Sequence, residues 1–179
     1  MGCKQSVSVK NIPTSGDQNK QTEIQNKSGS SAKIEEVPYN LIEFVSQSLP
    51  KMQIPTAENY LKGWESFSNE SDLPFYCSGD FNGDNLIDYC LLVIKDSTII
   101  NLYSFLNQNN GFQIVLIDSL RYLPKGIDII VTTEPKGEWE SIEETISIPF
   151  DGITVSQIEE SLTWSYYYKN DRFERFLYD

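Results

Sequence analysis

Phe75-Tyr76-Cys77-Ser78-Gly79-Asp80-Phe81-Asn82-Gly83-Asp84-Asn85-Leu86-Ile87-Asp88-Tyr89-Cys90-Leu91-Leu92-Val93-Ile94 reads as two strands joined by an acidic loop. The flanks are aromatic and aliphatic, the residue types that fit a pleated surface. The middle is Asp, Asn and Gly, which turn the chain through local hydrogen bonds and positive φ. Counted from Asp80, oxygen-bearing side chains fall at the first, third, fifth and ninth places: Asp80, Asn82, Asp84 and Asp88. In a tight loop alternate residues converge on one point, and calcium takes six to eight such oxygens. Leu86, at the seventh place, would lend its backbone carbonyl and leave its side chain for the core. Gly83 and Asn85 tolerate the left-handed backbone such a loop needs. Three carboxylates held together repel one another, and a cation relieves that. The bland alternative is a surface turn of Asx residues with no metal. The EF-hand pattern does not fit, because its sixth place wants Gly and its twelfth Glu, where this chain has Asn85 and Leu91.

The run Gly79 to Tyr89 resembles the FG-GAP/VCBS family of calcium loops, in which an aspartate-rich loop joins two antiparallel strands. The likeness covers roughly residues 75–94. It departs at Asn85, where the family has glycine. It also occurs once, where propellers of that family carry several copies, so it implies a single compact domain with calcium as a bound ion. The expected ligand set is Asp80, Asn82, Asp84, the Leu86 carbonyl and Asp88.

Cys77 and Cys90 are equidistant from the loop centre. If the hairpin follows that symmetry, the sulfurs face each other and a disulfide would clamp the base of the loop. Two free buried thiols are the alternative. Cys3 is the remaining cysteine. Gly2-Cys3-Lys4-Gln5 resembles the mature start of a bacterial lipoprotein, which implies a diacylglyceryl anchor on Cys3 and a place in the bacterial cell envelope, periplasm or outer membrane. Met1-Gly2-Cys3-Lys4-Gln5-Ser6 also fits an N-myristoylation pattern, and an unlipidated Cys3 is the third reading.

Outward from the loop, residues 1–35 read as a disordered tether, rich in Ser, Gln, Asn, Lys and Thr and too sparse in apolar residues to order themselves. Residues 36–179 read as one β-rich globular domain. Leu41, Ile42, Val45 and Leu49 recur at helical spacing between Pro38 and Pro50. A second helix over Thr56 to Phe67 is weakened by Gly63. Further strand patterns cover residues 98–105, 112–117, 127–133, 145–148, 162–168 and 172–177. The expected fold is α+β: an antiparallel or mixed sheet of about seven strands with one or two packed helices.

The chain has 26 acidic and 14 basic residues, a net charge of -12, and no histidine. The charge disfavours nucleic acid as a partner and favours cations and basic protein surfaces. The missing histidine removes Ser-His-Asp, Cys-His and His-metal chemistry. No phosphate-binding glycine loop, nucleophile elbow or CxxC pair is present. No apolar run reaches membrane-spanning length, and no signal peptide is expected at this start. Glu138, Trp139 and Glu140, with Glu143 and Glu144, form a candidate acidic patch for a basic protein partner. Trp164, Tyr166, Tyr167, Tyr168, Phe173, Phe176 and Tyr178 crowd one hairpin, either as cross-strand packing or as a sugar- or peptide-binding platform. The expected function is a non-catalytic, calcium-binding, membrane-tethered interaction domain. An immunity or inhibitor protein neutralising a basic toxin or envelope hydrolase is the alternative, and a carboxylate- or metal-dependent hydrolase the third.

Overall fold

β-Branched and aromatic runs after Leu73 are short and closely spaced, and in the computed structural model of the chain they become ten strands, preceded by one α-helix among the described residues. The structure describes residues 37–67, 73–141 and 144–178. The strands are β1 (Tyr76–Gly79), β2 (Asp88–Ile94), β3 (Ile99–Gln108), β4 (Gly111–Arg121), β5 (Ile129–Glu134), β6 (Gly137–Glu140), β7 (Thr145–Ile148), β8 (Gly152–Gln157), β9 (Leu162–Lys169) and β10 (Arg172–Leu177). They form two four-stranded sheets, ordered β1-β2-β3-β4 and β10-β9-β8-β5, and the pair β6-β7. Every pairing of strands is antiparallel.

This overturns the expectation of a seven-strand α+β fold with packed helices: the chain is β-rich, in three sheets. Two strands were hidden. β6 reads as a charged loop because only Trp139 faces inward between Glu138 and Glu140. β8 begins at Gly152, just after Pro149 and Asp151, and these three residue types suggest a break. The α-helix α1 (Tyr39–Ser48) lies where its periodicity placed it, with Leu41 and Val45 buried. The proposed second helix is two short 3₁₀ turns, Ala57–Asn59 and Trp64–Phe67, with Gly63 at φ +93° between them. A left-handed residue at that point ends helical bonding. The tether over residues 1–35, and Cys3 within it, lie outside the described residues.

β2 and β3 sit at the centre of the first sheet and are buried on both faces, as the unbroken burial of Ile100 to Leu106 shows. Phe44 of α1 packs edge-on against Phe105 of β3 and Phe112 of β4, covering one face. The second sheet closes the other, and residues of both sheets form one core. Tyr166 of β9 donates its hydroxyl to the Asp118 carboxylate of β4 between them. At one side the edges of β1 and β5 meet: the Val131 amide donates to the Pro74 carbonyl at 3.0 Å, and the Thr133 hydroxyl to the Ser78 carbonyl at 2.8 Å. A smaller core of Trp139, Ile148 and Phe176 packs the β6-β7 pair on the second sheet, with Tyr167 and Tyr178 beside it. The aromatic hairpin β9-β10 is therefore mainly core: Trp164, Tyr166 and Phe176 are buried. Its turn holds Asn170 and Asp171 at φ +52° and +61°, the paired left-handed residues of a two-residue hairpin turn.

Candidate functional site

The acidic loop links β1 to β2 and is ordered by nested side-chain to backbone bonds. The Asp80 carboxylate accepts from the Gly83 amide at 2.8 Å and the Asn85 amide at 3.2 Å. The Asn82 side-chain oxygen accepts from the Asp84 amide at 3.0 Å, and Asp84 Oδ1 from the Leu86 amide at 2.8 Å. Asn82 Nδ2 donates to Asp84 Oδ2 at 3.1 Å. Gly83 and Asn85 take φ +81° and +64°, so the loop turns where those residues permit it.

Asp88, the first residue of β2, lies fully buried beneath the loop. Its Oδ2 accepts from the Phe81 amide at 3.0 Å and its Oδ1 from the Asn107 amide of β3 at 2.7 Å. It joins the loop entry to the end of the next strand but one. Burial pushes its carboxyl up to about 6, against the lowering effect of the Asn107 and Phe81 amides and with a small further rise from Asp84. Leu86 does not fill the core as expected: the residue is 38% exposed and Ile87 52% exposed. Phe81 takes the core place instead and is fully buried.

Two residues that sequence reasoning missed complete the site. Asp151, just before β8, accepts from the Asp80 amide at 3.2 Å and donates its own amide to the Asp80 carbonyl at 3.1 Å. Its other carboxylate oxygen accepts from the Lys136 amide at 3.3 Å. Phe150 lies against the loop so closely that a Cβ on Gly83 would sit 2.0 Å from its ring. Nothing local in the sequence links residue 80 to residue 151; only the meeting of the two sheets does. A cavity of about 150 Å³ opens there, lined by Asp80, Gly83, Asn85, Lys136, Phe150 and Asp151 among others.

The loop can be tested for a cation by its free acceptor capacity. Each carboxylate has about four lone-pair directions. Asp80 and Asp84 each use two in the bonds above, and the Asn82 oxygen uses one. Asp80, Asn82 and Asp84 thus retain acceptor capacity on a loop whose shape is already set. Asp88 is the exception in the expected ligand set, since both of its oxygens serve backbone amides from within the core. Among the described residues no three Asp, Glu, Cys or His side chains gather as a metal-holding group. The remaining members of the expected set are two carboxylates, Asp80 and Asp84, one amide oxygen, Asn82, and the Leu86 carbonyl.

β1 and β2 pair with Cys77 opposite Cys90. Both are buried free thiols. Burial pushes the Cys90 thiol up, and its hydrogen bond with Cys77 adds to the rise. Of the candidate acidic patch, Glu143 lies outside the described residues. Glu138 and Glu140 are exposed, whereas Trp139 is 4% exposed and donates its indole N–H to the Pro135 carbonyl at 3.2 Å. Tryptophan between two glutamates on a four-residue strand alternates inward by the two-residue period, so it holds the small core and faces no partner.

No family model matches the chain, and no curated protein and no solved structure matches it.

Proposed function

We propose that this protein is a non-catalytic binding module whose hairpin loop takes calcium. Asp80, Asn82 and Asp84 would supply side-chain oxygens and Leu86 a backbone carbonyl, with Asp88 supporting the loop from beneath. The observation that carries this reading is the loop's local order: three oxygen-bearing side chains at alternate positions, each fixed by a bond to a nearby backbone amide, with Asp151 of the second sheet held to the Asp80 backbone. The likeness to FG-GAP/VCBS loops supports the choice of calcium. The cation's role would be structural, joining two sheets whose contact at this corner is polar. A histidine-free chain supports a binding role over hydrolysis. Tethering through lipid on Cys3 in a bacterial envelope belongs to the same proposal and rests on the residue pattern alone. The inhibitor reading loses its aromatic anchor, because Trp139 is buried.

Thermal melting in excess calcium and in chelator tests the reading. A ligand that binds only the native state stabilises it by about 2.7 kcal/mol at a hundred times its dissociation constant, so calcium should raise the melting temperature by several degrees. The variant carrying Asp80→Ala and Asp84→Ala should melt alike in both buffers. Equal melting of the wild type in calcium and chelator would end the calcium proposal.

A further inference from the structure

β4 ends its sheet and bonds to β3 alone. The direction of its backbone groups follows from β3. The Ile99 carbonyl accepts from the Lys95 amide at 3.0 Å, and the Asn107 amide donates to Asp88 at 2.7 Å, so both ends of β3 face β2 through odd-numbered residues. Successive residues of an antiparallel strand turn N–H and C=O to opposite sides. Ser104 and Leu106 therefore face β4, where they pair with Val115 and Gln113. Phe112, Ile114 and Leu116 turn their amides and carbonyls outward. Among the described residues no backbone group bonds them there.

The rest of that edge is protected. The register slips opposite Leu102, which leaves Ile117 as an extra residue in β4, and the Asp118 carboxylate then accepts from the Ser119 amide at 2.7 Å. Bulges and charged side chains are what keep a sheet edge from pairing. Of the other edge strands, β1 and β5 meet each other. β10 holds Arg172, Glu174 and Arg175 among its residues, and β6 and β7 have four residues apiece. Gly111 to Ile117 has none of these guards: it is free of charge and proline on a chain of net charge -12. Leu116 stands on it 52% exposed.

We infer that Phe112 to Leu116 is the interface of a homodimer, in which β4 of a second copy pairs antiparallel and joins the two sheets into one. The unguarded stretch is symmetric about Ile114, with Gly111 to Gln113 before it and Val115 to Ile117 after it. A two-fold axis at Ile114 sets Phe112 opposite Leu116 of the second copy. Every outward amide then meets an outward carbonyl. The pairing is closed, because both copies use the same edge. A foreign strand bearing charge would set that charge unpaired against an apolar edge, whereas a second copy brings none. Phe112 and Ile114 are already partly packed on the core, so main-chain bonds carry the pairing, and Leu116 gains cover from the facing Phe112. The stretch spans about 13 Å at roughly 3.3 Å per step. So short a strip buries less than the roughly 800 Å² per partner of a standard interface, and the dimer is weak. Each copy is acidic, so salt strengthens the dimer by screening. The inference does not rest on the calcium reading, since no residue of the acidic loop takes part.

The test uses the full chain in reductant and chelator, so that neither a cysteine cross-link nor calcium contributes. Sedimentation velocity from about 10 μM to about 1 mM, the range of a weak pair, should show a monomer–dimer equilibrium. Its association constant should rise severalfold between about 20 mM and about 500 mM sodium chloride, as screening lengths shorten. Amide exchange read by NMR should slow at Phe112, Ile114 and Leu116 in proportion to the dimer fraction and stay unchanged at Ser119. Leu116→Lys, at an exposed position, should melt close to the wild type and weaken association about tenfold, although it removes one unit of the repelling charge. A chain that stays monomeric through the whole range overturns the inference and leaves the edge to a strand of another protein. So does a dimer that leaves the three amides unprotected, one that Leu116→Lys leaves intact, one that salt dissolves, or growth past the dimer into open-ended oligomers.

Discussion

Replacing Asp88 with Asn isolates the buried carboxylate beneath the loop. Its folded carboxyl titrates at about 6 against an ordinary value of 3.8, chiefly because burial disfavours the charge. Below about pH 4 the group is protonated in both folded and unfolded chains, and it exerts no penalty. Between about 4 and 6 the unfolded chain releases the proton and the folded chain keeps it, so stability falls as pH rises. Above 6 the loss is complete. A shift of two units corresponds to about 3 kcal/mol at about 1.4 kcal/mol per unit, which is a ceiling because the loop above is open to water. In Asp88→Asn the amide oxygen still accepts one backbone N–H, but its NH₂ meets the other as donor against donor. That costs about 1–3 kcal/mol and does not vary with pH. Urea unfolding of both proteins in chelator at pH 4, 5, 6 and 7 gives the difference, in which all other titrations cancel. The wild type should lead at pH 4, and its lead should shrink towards pH 7. Calcium should move the window to lower pH by favouring the ionised carboxylate. A lead that is constant or grows with pH would refute the assignment of Asp88 as a buried acid raised by its surroundings.

Gly83→Ala should destabilise the fold by about 2–4 kcal/mol, because a Cβ would sit 2.0 Å from the Phe150 ring at φ +81°; melting of the single variant and of its combination with Phe150→Ala, which should recover part of the loss, checks it. Trp139→Ala should cost about 3–5 kcal/mol by emptying the small core, measurable as a lower urea midpoint. Cys77 and Cys90 should resist iodoacetamide in the native state and react together on unfolding, since both are buried and the Cys90 thiol is pushed up. Rapid native labelling followed by mass spectrometry would contradict that burial.

The hairpin Phe75 to Ile94 was legible because its signals are local. Asx and Gly residues make the loop, apolar runs make the strands, and symmetry about the loop centre gave the register that sets Cys77 against Cys90. The helix over residues 39–48 was legible for the same reason. What failed depended on distant partners. β6 owes its existence to Trp139 finding Phe176 and Tyr167, and without them Glu138-Trp139-Glu140 looks like an exposed acidic patch. β8 begins at Gly152, whose missing side chain makes room for the Trp139 ring, and a glycine read alone suggests a break. In the site, Asp80, Asn82 and Asp84 were visible by spacing. Asp151 and Phe150 were not, since no periodicity connects residues 71 places apart. Asp88 was visible as an acid, but its role changed once both oxygens were found serving backbone amides.

The bonds between Asp80 and Asp151 also carry a consequence for the order of events during synthesis. A hairpin of β1 and β2 can pair as soon as it leaves the ribosome, because its contacts are local and loop closure over a few residues is cheap. The clasp at its tip cannot close until residue 151 has emerged, after β3 to β7 have been made. Until then the Asp80 amide and carbonyl face water, and Phe150 is not yet against Gly83. The acidic loop is therefore a late-maturing part of an early-forming hairpin, and chains truncated before Pro149 should hold the hairpin without the clasp.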